Sequence, residues 1–337
     1  MINSIEVTDK SRVYVGCAEE LLKQLLPQKR VIAISDANID RTHHALIEPY
    51  ETIFIGQGEQ AKSLATLEDI YRQLIELGAD RSTFILGVGG GIVTDITGFV
   101  ASTYMRGVEF GFITTTLLGA VDASIGGKNG VNVGGFKNMV GTFSQPRFVV
   151  CDVSLLYSLP EREFRAGLAE VIKTAILGDK EMFALLEQTS FEQLRKDDEL
   201  LKEIILRSMR VKASVVAEDE REGGRRRVLN LGHTLAHAIE KSTSKLSHGE
   251  AVAVGLHHIT CSAMERGDIA KADGKRIVAL IEQYGFATAL PVERKQLLKA
   301  VEGDKKRSGD TLHIIIPTSV GTVEDRQVKF KDLAEIL

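Results

Sequence analysis

Cysteine is scarce: Cys17, Cys151 and Cys261 are the only three among 337 residues, and they lie far apart. An odd, scattered set argues against a disulfide framework and lacks the paired spacing of a zinc cluster. The opening MINSIEVTDKSRVYV has no charged-then-apolar export pattern. The cysteines are therefore expected to be reduced cytosolic thiols, each a small buried apolar residue. Long apolar runs are missing too. None approaches the ~18 residues that would span a membrane, so no membrane partner is expected. Basic excess is also absent: the net charge is −4, which argues against nonspecific binding to nucleic acid and leaves room for a local basic pocket. There is no internal repeat and no low-complexity tract. What is present is an ordinary globular balance, 44% hydrophobic and 26% charged. At this length it suits two domains better than one core.

The pattern changes near residue 155. Before it, short β-rich runs recur at Arg12–Val15, Val31–Ser35, Thr52–Ile55, Thr83–Val88, Phe110–Thr115 and Arg147–Cys151. Helical patterns such as Leu64–Leu77 separate several of them. Alternating strands and helices predict a largely parallel α/β sheet. After residue 155 the helical period dominates, over Glu161–Leu177, Glu199–Glu218, Leu229–Lys241, Glu250–Arg266 and Lys271–Tyr284. A small hairpin is expected late, with strands at Leu312–Ile316 and Thr322–Val328 and a turn over Pro317 to Gly321.

The run Thr83–Val88 ends in Gly89-Gly90-Gly91, and a helical pattern then carries Asp95. Glycines at a strand-to-helix turn let a phosphate approach the backbone, facing the free N–H groups of the helix start. The GxGxxG fingerprint is absent, and a triplet alone also suits a plain tight turn. Other residues add weight. Asp36 follows the strand Val31–Ser35, where an acid can accept from ribose hydroxyls. Gly58, Glu59 and Lys62 follow another strand, and Thr114-Thr115-Thr116 closes a third. Threonine is also simply a good strand residue. Together these residues point to dinucleotide binding.

Five of the eight histidines fall between residues 233 and 258: His233, His237, His248, His257 and His258. His233 and His237 are four apart in a helical pattern and share a face. His248 opens the next helix after the turn Ser242–Ser247. Two histidines from adjoining segments plus one carboxylate make a common open zinc site. The candidate carboxylate is Glu170, flanked by Ala169, Val171 and Ile172 on an apolar helix, where an acid is costly unless paired or metal-bound. The competing reading makes these histidines caps and core donors. Lys173 sits one turn after Glu170. Gly126-Gly127-Lys128, Lys137-Asn138, Lys212 and Arg225-Arg226-Arg227 offer donors for a phosphate or carboxylate. A charge run is usually a solvated face, so one of the three arginines is expected to turn toward Asn230 and His233.

The segments GGGIVTDITGF, TYMRG, TTLLGAVDASIGGKNGVN, KNMVGTF, LPEREFRAGLAEVIK, EDEREGGRRRVLNLGHTLAHAIE and HGEAVAVG occur in this order. The chain resembles the 3-dehydroquinate synthases, a family of sugar phosphate cyclases, over nearly its whole length. The resemblance implies an α/β N-terminal Rossmann-like domain, residues 1–155, that binds NAD. It implies a mainly α-helical C-terminal domain, residues 156–337, that binds metal and substrate, and a homodimer. It makes Glu170, His233 and His248 the ligands of Zn2+, for which Co2+ can substitute. His237 then faces the substrate and not the metal. Asp122, Lys128, Asn138, Lys173, Lys212, Glu222, Arg226 and Asn230 become substrate-pocket residues, and Arg106 reaches a neighbouring subunit's site. Gly58, Glu59, Lys62, Gly91, Asp95, Thr115, Thr116, Lys137 and Ser158 become NAD contacts, beside Asp36, Gly90 and Lys128.

The implied substrate is a small phosphorylated sugar acid, 3-deoxy-arabino-heptulosonate 7-phosphate. A ring alcohol is transiently oxidised, phosphate is eliminated, the ketone is reduced again, and the ring opens and recloses by an aldol step to 3-dehydroquinate. A Lewis-acid metal suits the oxidation, and fixed cations suit positioning of the phosphate and carboxylate. The chain departs from the family pattern at Thr94 and Ala236, where glycine is usual, and at Asn129, where threonine is usual. GVNVGGFKN also lacks the common His-Pro. Rival readings are another sugar phosphate cyclase, a metal-dependent polyol dehydrogenase of the glycerol type, and a silent NAD-binding regulator.

Overall fold

The computed structural model describes residues 3–302 and 310–336. It falls into two compact units, Met1–Phe164 with Lys212–Glu220 and Arg165–Val211 with Arg221–Leu337.

The first unit is built on β1 (Asn3–Thr8), β2 (Ser11–Val15), β3 (Val31–Asp36), β4 (Glu51–Ile55), β5 (Phe84–Gly89), β6 (Phe110–Thr114) and β9 (Phe148–Cys151). They form one seven-stranded sheet in the order β1-β2-β9-β6-β5-β3-β4. Only β1 and β2 pair antiparallel; every other neighbouring pair is parallel. The central strands FILGVG, FGFIT and FVVC are buried at every position, which is why they read as continuous apolar runs and not as alternation. Helices α1 (Ala18–Leu25), α2 (Ala37–His43), α3 (Leu64–Glu76) and α4 (Gly91–Thr103) connect them. Phe84, Leu86 and Val88 join Leu21, Leu22 and Ile39 in one core cluster. Because β6, β5 and β3 are parallel neighbours, their carboxyl ends place Thr115, Gly90 and Asp36 along one edge of the sheet. A separate antiparallel ribbon, β7 (Lys128–Val133) with β8 (Phe136–Phe143), completes the unit.

The second unit is mostly helical. It comprises most of α5 (Glu161–Gly178), then α6 (Lys180–Glu187), α7 (Phe191–Leu194), the first part of α8 (Asp198–Glu218), α9 (His233–Ser242), α10 (His248–Arg266), α11 (Lys271–Gln283) and α12 (Arg294–Glu302). The antiparallel pair β10 (Thr311–Ser319) and β11 (Thr322–Lys329) follows. Among the described residues no helix is long and apolar enough to cross a membrane.

Three expectations need correcting. The helix read over Leu229–Lys241 begins at His233, because a 3-10 turn over Arg225–Asn230 leads into Gly232 at φ +77°. The late turn is tighter than Pro317 to Gly321, since Pro317 still pairs with Val323 and Ser319 with Thr322. Cys17 is exposed and not buried, because it occupies the N-cap of α1 at the end of β2; Cys151 is buried and Cys261 partly so.

Candidate active site

Glu170, His233 and His248 come together within the second unit, each offering a ligand atom within 4.8 Å of the others. Local sequence explains the convergence. Glu170 lies on α5, where Ala169, Val171 and Ile172 are buried around it, and it is itself fully buried. Ser247 caps α10 through a capping box with Glu250, which fixes His248 in the first turn. Gly249 then allows α10 to touch α5: a Cβ there would lie 2.1 Å from the Ala166 carbonyl oxygen, one turn before Glu170. Gly255 does the same for the turn before α9, where a Cβ would meet the Gly232 oxygen at 2.0 Å. Glycine at these two positions therefore sets where His248 and His233 stand relative to Glu170.

His233 Nε2 lies 3.5 Å and His248 Nε2 lies 3.3 Å from the same oxygen, Glu170 Oε1. Ligands bonded at ~2.1 Å to a tetrahedral centre stand about 3.4 Å apart, so the spacing fits a divalent metal. The donor chemistry agrees. Both Glu170 oxygens are buried without a hydrogen bond of good geometry, although Lys173, 2% exposed, forms an ion pair with the carboxylate. An acid so placed needs positive charge nearby. Burial alone would raise the Glu170 pKa; Lys173, His233 and His248 outweigh it and hold the carboxyl well below its usual range. His233 is lowered by burial and by Lys173. For His248, burial works downward, and Glu170 with Glu240 reverses it and raises the pKa.

His237 lies one turn along α9, exposed, with its ring edge-on to His233 at 5.4 Å. It is outside the three-residue cluster. His257 and His258 are outside it too: His258 Nε2 lies 3.0 Å from the Thr288 carbonyl, and His257 lies beside Cys261. In the same unit Arg226 is 2% exposed, whereas Arg225 is exposed and Arg227 pairs with Asp325. Asn230 Nδ2 donates to Glu222 Oε1 at 2.8 Å.

In the first unit, Lys62 is 5% exposed and donates to Asp95 at 2.5 Å and to Asn138 at 2.6 Å. Burial raises the Asp95 pKa against the pull of Lys62. Glu59 accepts from Asn132 at 2.8 Å, a partner the sequence did not single out. Lys212 donates to both the side chain and the backbone carbonyl of Asp122. Asp36 Oδ1 accepts from the Asn38 and Ile39 amides and so caps α2. Ser158 meets His43 at 2.7 Å. Gly90 caps α4 with no side chain, leaving the amides of the helix start available, and a Cβ there would lie 2.8 Å from Thr116. An open helix start lined by glycine fits a dinucleotide phosphate. Arg106 is exposed on a strained turn, at φ +71° after Met105 at φ +48°; Lys128 and Lys137 are exposed on the ribbon. Asn129 is buried and donates to the Gly127 and Ser144 carbonyls, so its side chain fixes the ribbon's start.

Residues 52–166 match the 3-dehydroquinate synthase N-terminal family and residues 167–307 its C-terminal family. The 3-dehydroquinate synthase of Leptospira interrogans is 40% identical over 316 residues, covering 91% of this chain and 87% of its own. Among solved structures, a 2-deoxy-scyllo-inosose synthase complexed with carbaglucose-6-phosphate, NAD+ and Co2+ is 26% identical, with a TM-score of 0.90 over 99% of this chain and 98% of its own. The 2-epi-5-epi-valiolone synthase of Streptomyces hygroscopicus, with NAD+ and Zn2+ bound, is 26% identical, with a TM-score of 0.86 over 96% and 94%. Both solved neighbours are synthases bound to NAD+ and a divalent metal, and this chain shares their fold and has a cluster that could hold such an ion. The chain belongs to the 3-dehydroquinate synthase family.

Proposed function

We propose that the chain converts 3-deoxy-arabino-heptulosonate 7-phosphate to 3-dehydroquinate and inorganic phosphate, as a phosphate-eliminating lyase. The observation that carries the reading is the cluster of buried Glu170 and His233 with half-buried His248, in a chain 40% identical to curated 3-dehydroquinate synthases. Glu170, His233 and His248 would hold the metal. The Rossmann-like first unit would hold NAD through Asp36, Gly58, Glu59, Lys62, Gly90, Gly91, Asp95, Thr115, Thr116, Lys128, Lys137 and Ser158. When bound, the metal supplies Lewis acidity and NAD supplies a hydride acceptor that is regenerated.

The chain's own residues would do the rest. The guanidinium of Arg226 and the ammonium of Lys173 are both buried cations, and an anionic substrate beside them would add favourable charge pairing in a dry site. Lys212, oriented by Asp122, and Asn230, oriented by Glu222, arrive with their donors already directed. Lys128, Asn138 and Arg106 would add contacts to the phosphate or carboxylate, and His237 would hold or move a proton at a substrate oxygen. Holding both anionic ends in one geometry is the main service such residues can offer. A homodimer is part of the same reading; exposed Phe136, Val140 and Phe143 on β8 support it. The test is incubation of the metal- and NAD-loaded protein with the heptulosonate phosphate. Phosphate and dehydroquinate should appear in equal amounts. Phosphate without dehydroquinate would favour another cyclase, and no phosphate would end the proposal.

A further inference from the structure

The two histidines of the cluster turn the same nitrogen inward. Nε2 of each faces Glu170 Oε1, so Nδ1 of each faces away, toward a second acceptor. Those acceptors differ in kind. His233 Nδ1 lies 3.1 Å from the backbone carbonyl of Leu231. His248 Nδ1 lies 3.3 Å from a carboxylate oxygen, Oε1 of Glu240. The Glu240 side chain is 6% exposed. It projects from α9, two turns beyond His233, so a single helix carries one histidine of the cluster and the acceptor facing the other.

A neutral imidazole has one N–H and one lone pair, and a partner that can only accept decides which nitrogen keeps the proton. An ionised carboxylate is such a partner. We propose that Glu240 is a positioning residue for the metal centre: it holds the proton of His248 on Nδ1, aims Nε2 at the metal position, and raises that nitrogen's basicity. The inference rests on reading the cluster as a divalent metal site. The two histidines are then unequal by construction. His233 leans on a neutral carbonyl and His248 on a carboxylate, and the charged acceptor strengthens its ligand more than the neutral one does. The same contact ties the last turn of α9 to the first turn of α10 across the segment from Thr243 to Ser247, so ligand geometry and the joint between the two helices depend on one side chain.

The test uses the full chain with Glu240→Gln and Glu240→Ala. Zn2+ affinity is measured by competition with a chromogenic chelator, and the visible spectrum is recorded on the Co2+-loaded forms. Gln keeps an oxygen that can accept from Nδ1 and removes the charge; Ala removes both. Affinity should fall in the order parent, Gln, Ala, with the Ala loss about 10- to 100-fold and the Co2+ spectrum shifted in both variants. A merely structural Glu240 would lower the melting temperature and leave affinity and spectrum of the folded variants at parental values, and that result overturns the proposal. If Ala does not fold, Gln decides: parental affinity with a parental spectrum overturns it, and a weaker site with a shifted spectrum supports it. A parent protein that binds neither ion overturns it together with the metal reading. None of these readouts needs substrate, so failure of the proposed reaction is seen separately, in the phosphate assay.

Discussion

His233 and His237 share one face of α9, and spacing alone would let both bind a metal. The structure separates them: Nε2 of His233 faces the buried carboxylate of Glu170, while His237 is exposed and lies outside the three-residue cluster. Three protein ligands leave an open position for substrate oxygen, and a fourth would close it. His233→Ala should therefore lose bound zinc and activity together. His237→Ala should keep about one zinc per chain and lose turnover by about 10²-fold or more, as expected when a proton-transfer group is removed. Elemental analysis of the two purified variants decides; equal zinc loss would put His237 among the ligands. At this scale the sequence was informative where the chemistry was local. Glu170 stood out as an acid in an apolar helix, and Lys173 as its neighbour one turn on. Glu240 did not stand out, because an acid near a helix end looks solvated until the fold brings His248 to it. Asn132 and His43 were hidden for the same reason, since their partners lie 73 and 115 positions away.

At the scale of elements, α10 is held by two kinds of contact that fail in different ways. Its first turn touches α5 through Gly249, where an added Cβ would meet backbone that cannot yield like a flexible side chain. Gly249→Ala should cost about 1–3 kcal/mol of stability through overpacking. It should also weaken metal binding, because the displaced helix carries His248. Thermal melting of the metal-free form and zinc titration together check this; parental values in both would show that α10 relaxes around the methyl group. Its last turn is tied to β11 by charge. Asp268 accepts from Arg266 at 2.6 Å and from Arg326 at 2.9 Å. Burial works to raise the Asp268 pKa, but the two arginines outweigh it and hold the carboxyl below its usual range. A carboxylate with a depressed folded pKa stabilises fully above its unfolded value, near ~3.9, and that contribution disappears as pH falls through the folded value. Asp268→Asn should thus be less stable than the parent at pH 7 by about 0.5–1 kcal/mol, the range for partly exposed pairs. The gap should close in acid. A gap that is unchanged well below ~pH 3 would assign the loss to packing and not to charge. Strands and helices with dense apolar patterns, β5 and α5 among them, were legible to within a residue or two. The β7–β8 ribbon was not, because it is glycine-rich and β8 is exposed almost throughout, so it carries neither alternation nor a buried run. Nor does the sequence of α8 mark Lys212 as the residue where the helix passes from one compact unit to the other.

At the scale of the whole molecule, the proposed reaction makes a demand that separates it from a dehydrogenase with a related plan. Removing phosphoric acid from the heptulosonate phosphate leaves an isomer of dehydroquinate, with no net oxidation or reduction. The hydride taken from the ring alcohol must therefore return to the same molecule. The cofactor must be regenerated before product leaves, and it acts as a catalyst and not as a consumed reagent. A polyol dehydrogenase has the opposite balance, with one reduced cofactor released for each alcohol oxidised. Lys173 and Arg226, proposed above as substrate contacts within the second unit, are both buried, which suits a ligand held through several steps. With NAD supplied at a small fraction of the substrate concentration, phosphate should reach many equivalents per NAD, and absorbance from reduced nicotinamide should stay flat. Omitting NAD from cofactor-stripped protein should stop phosphate release altogether. If phosphate instead stalls at one equivalent per NAD while reduced cofactor accumulates in step, the hydride is not being returned. The chain would then be an oxidoreductase that shares this fold.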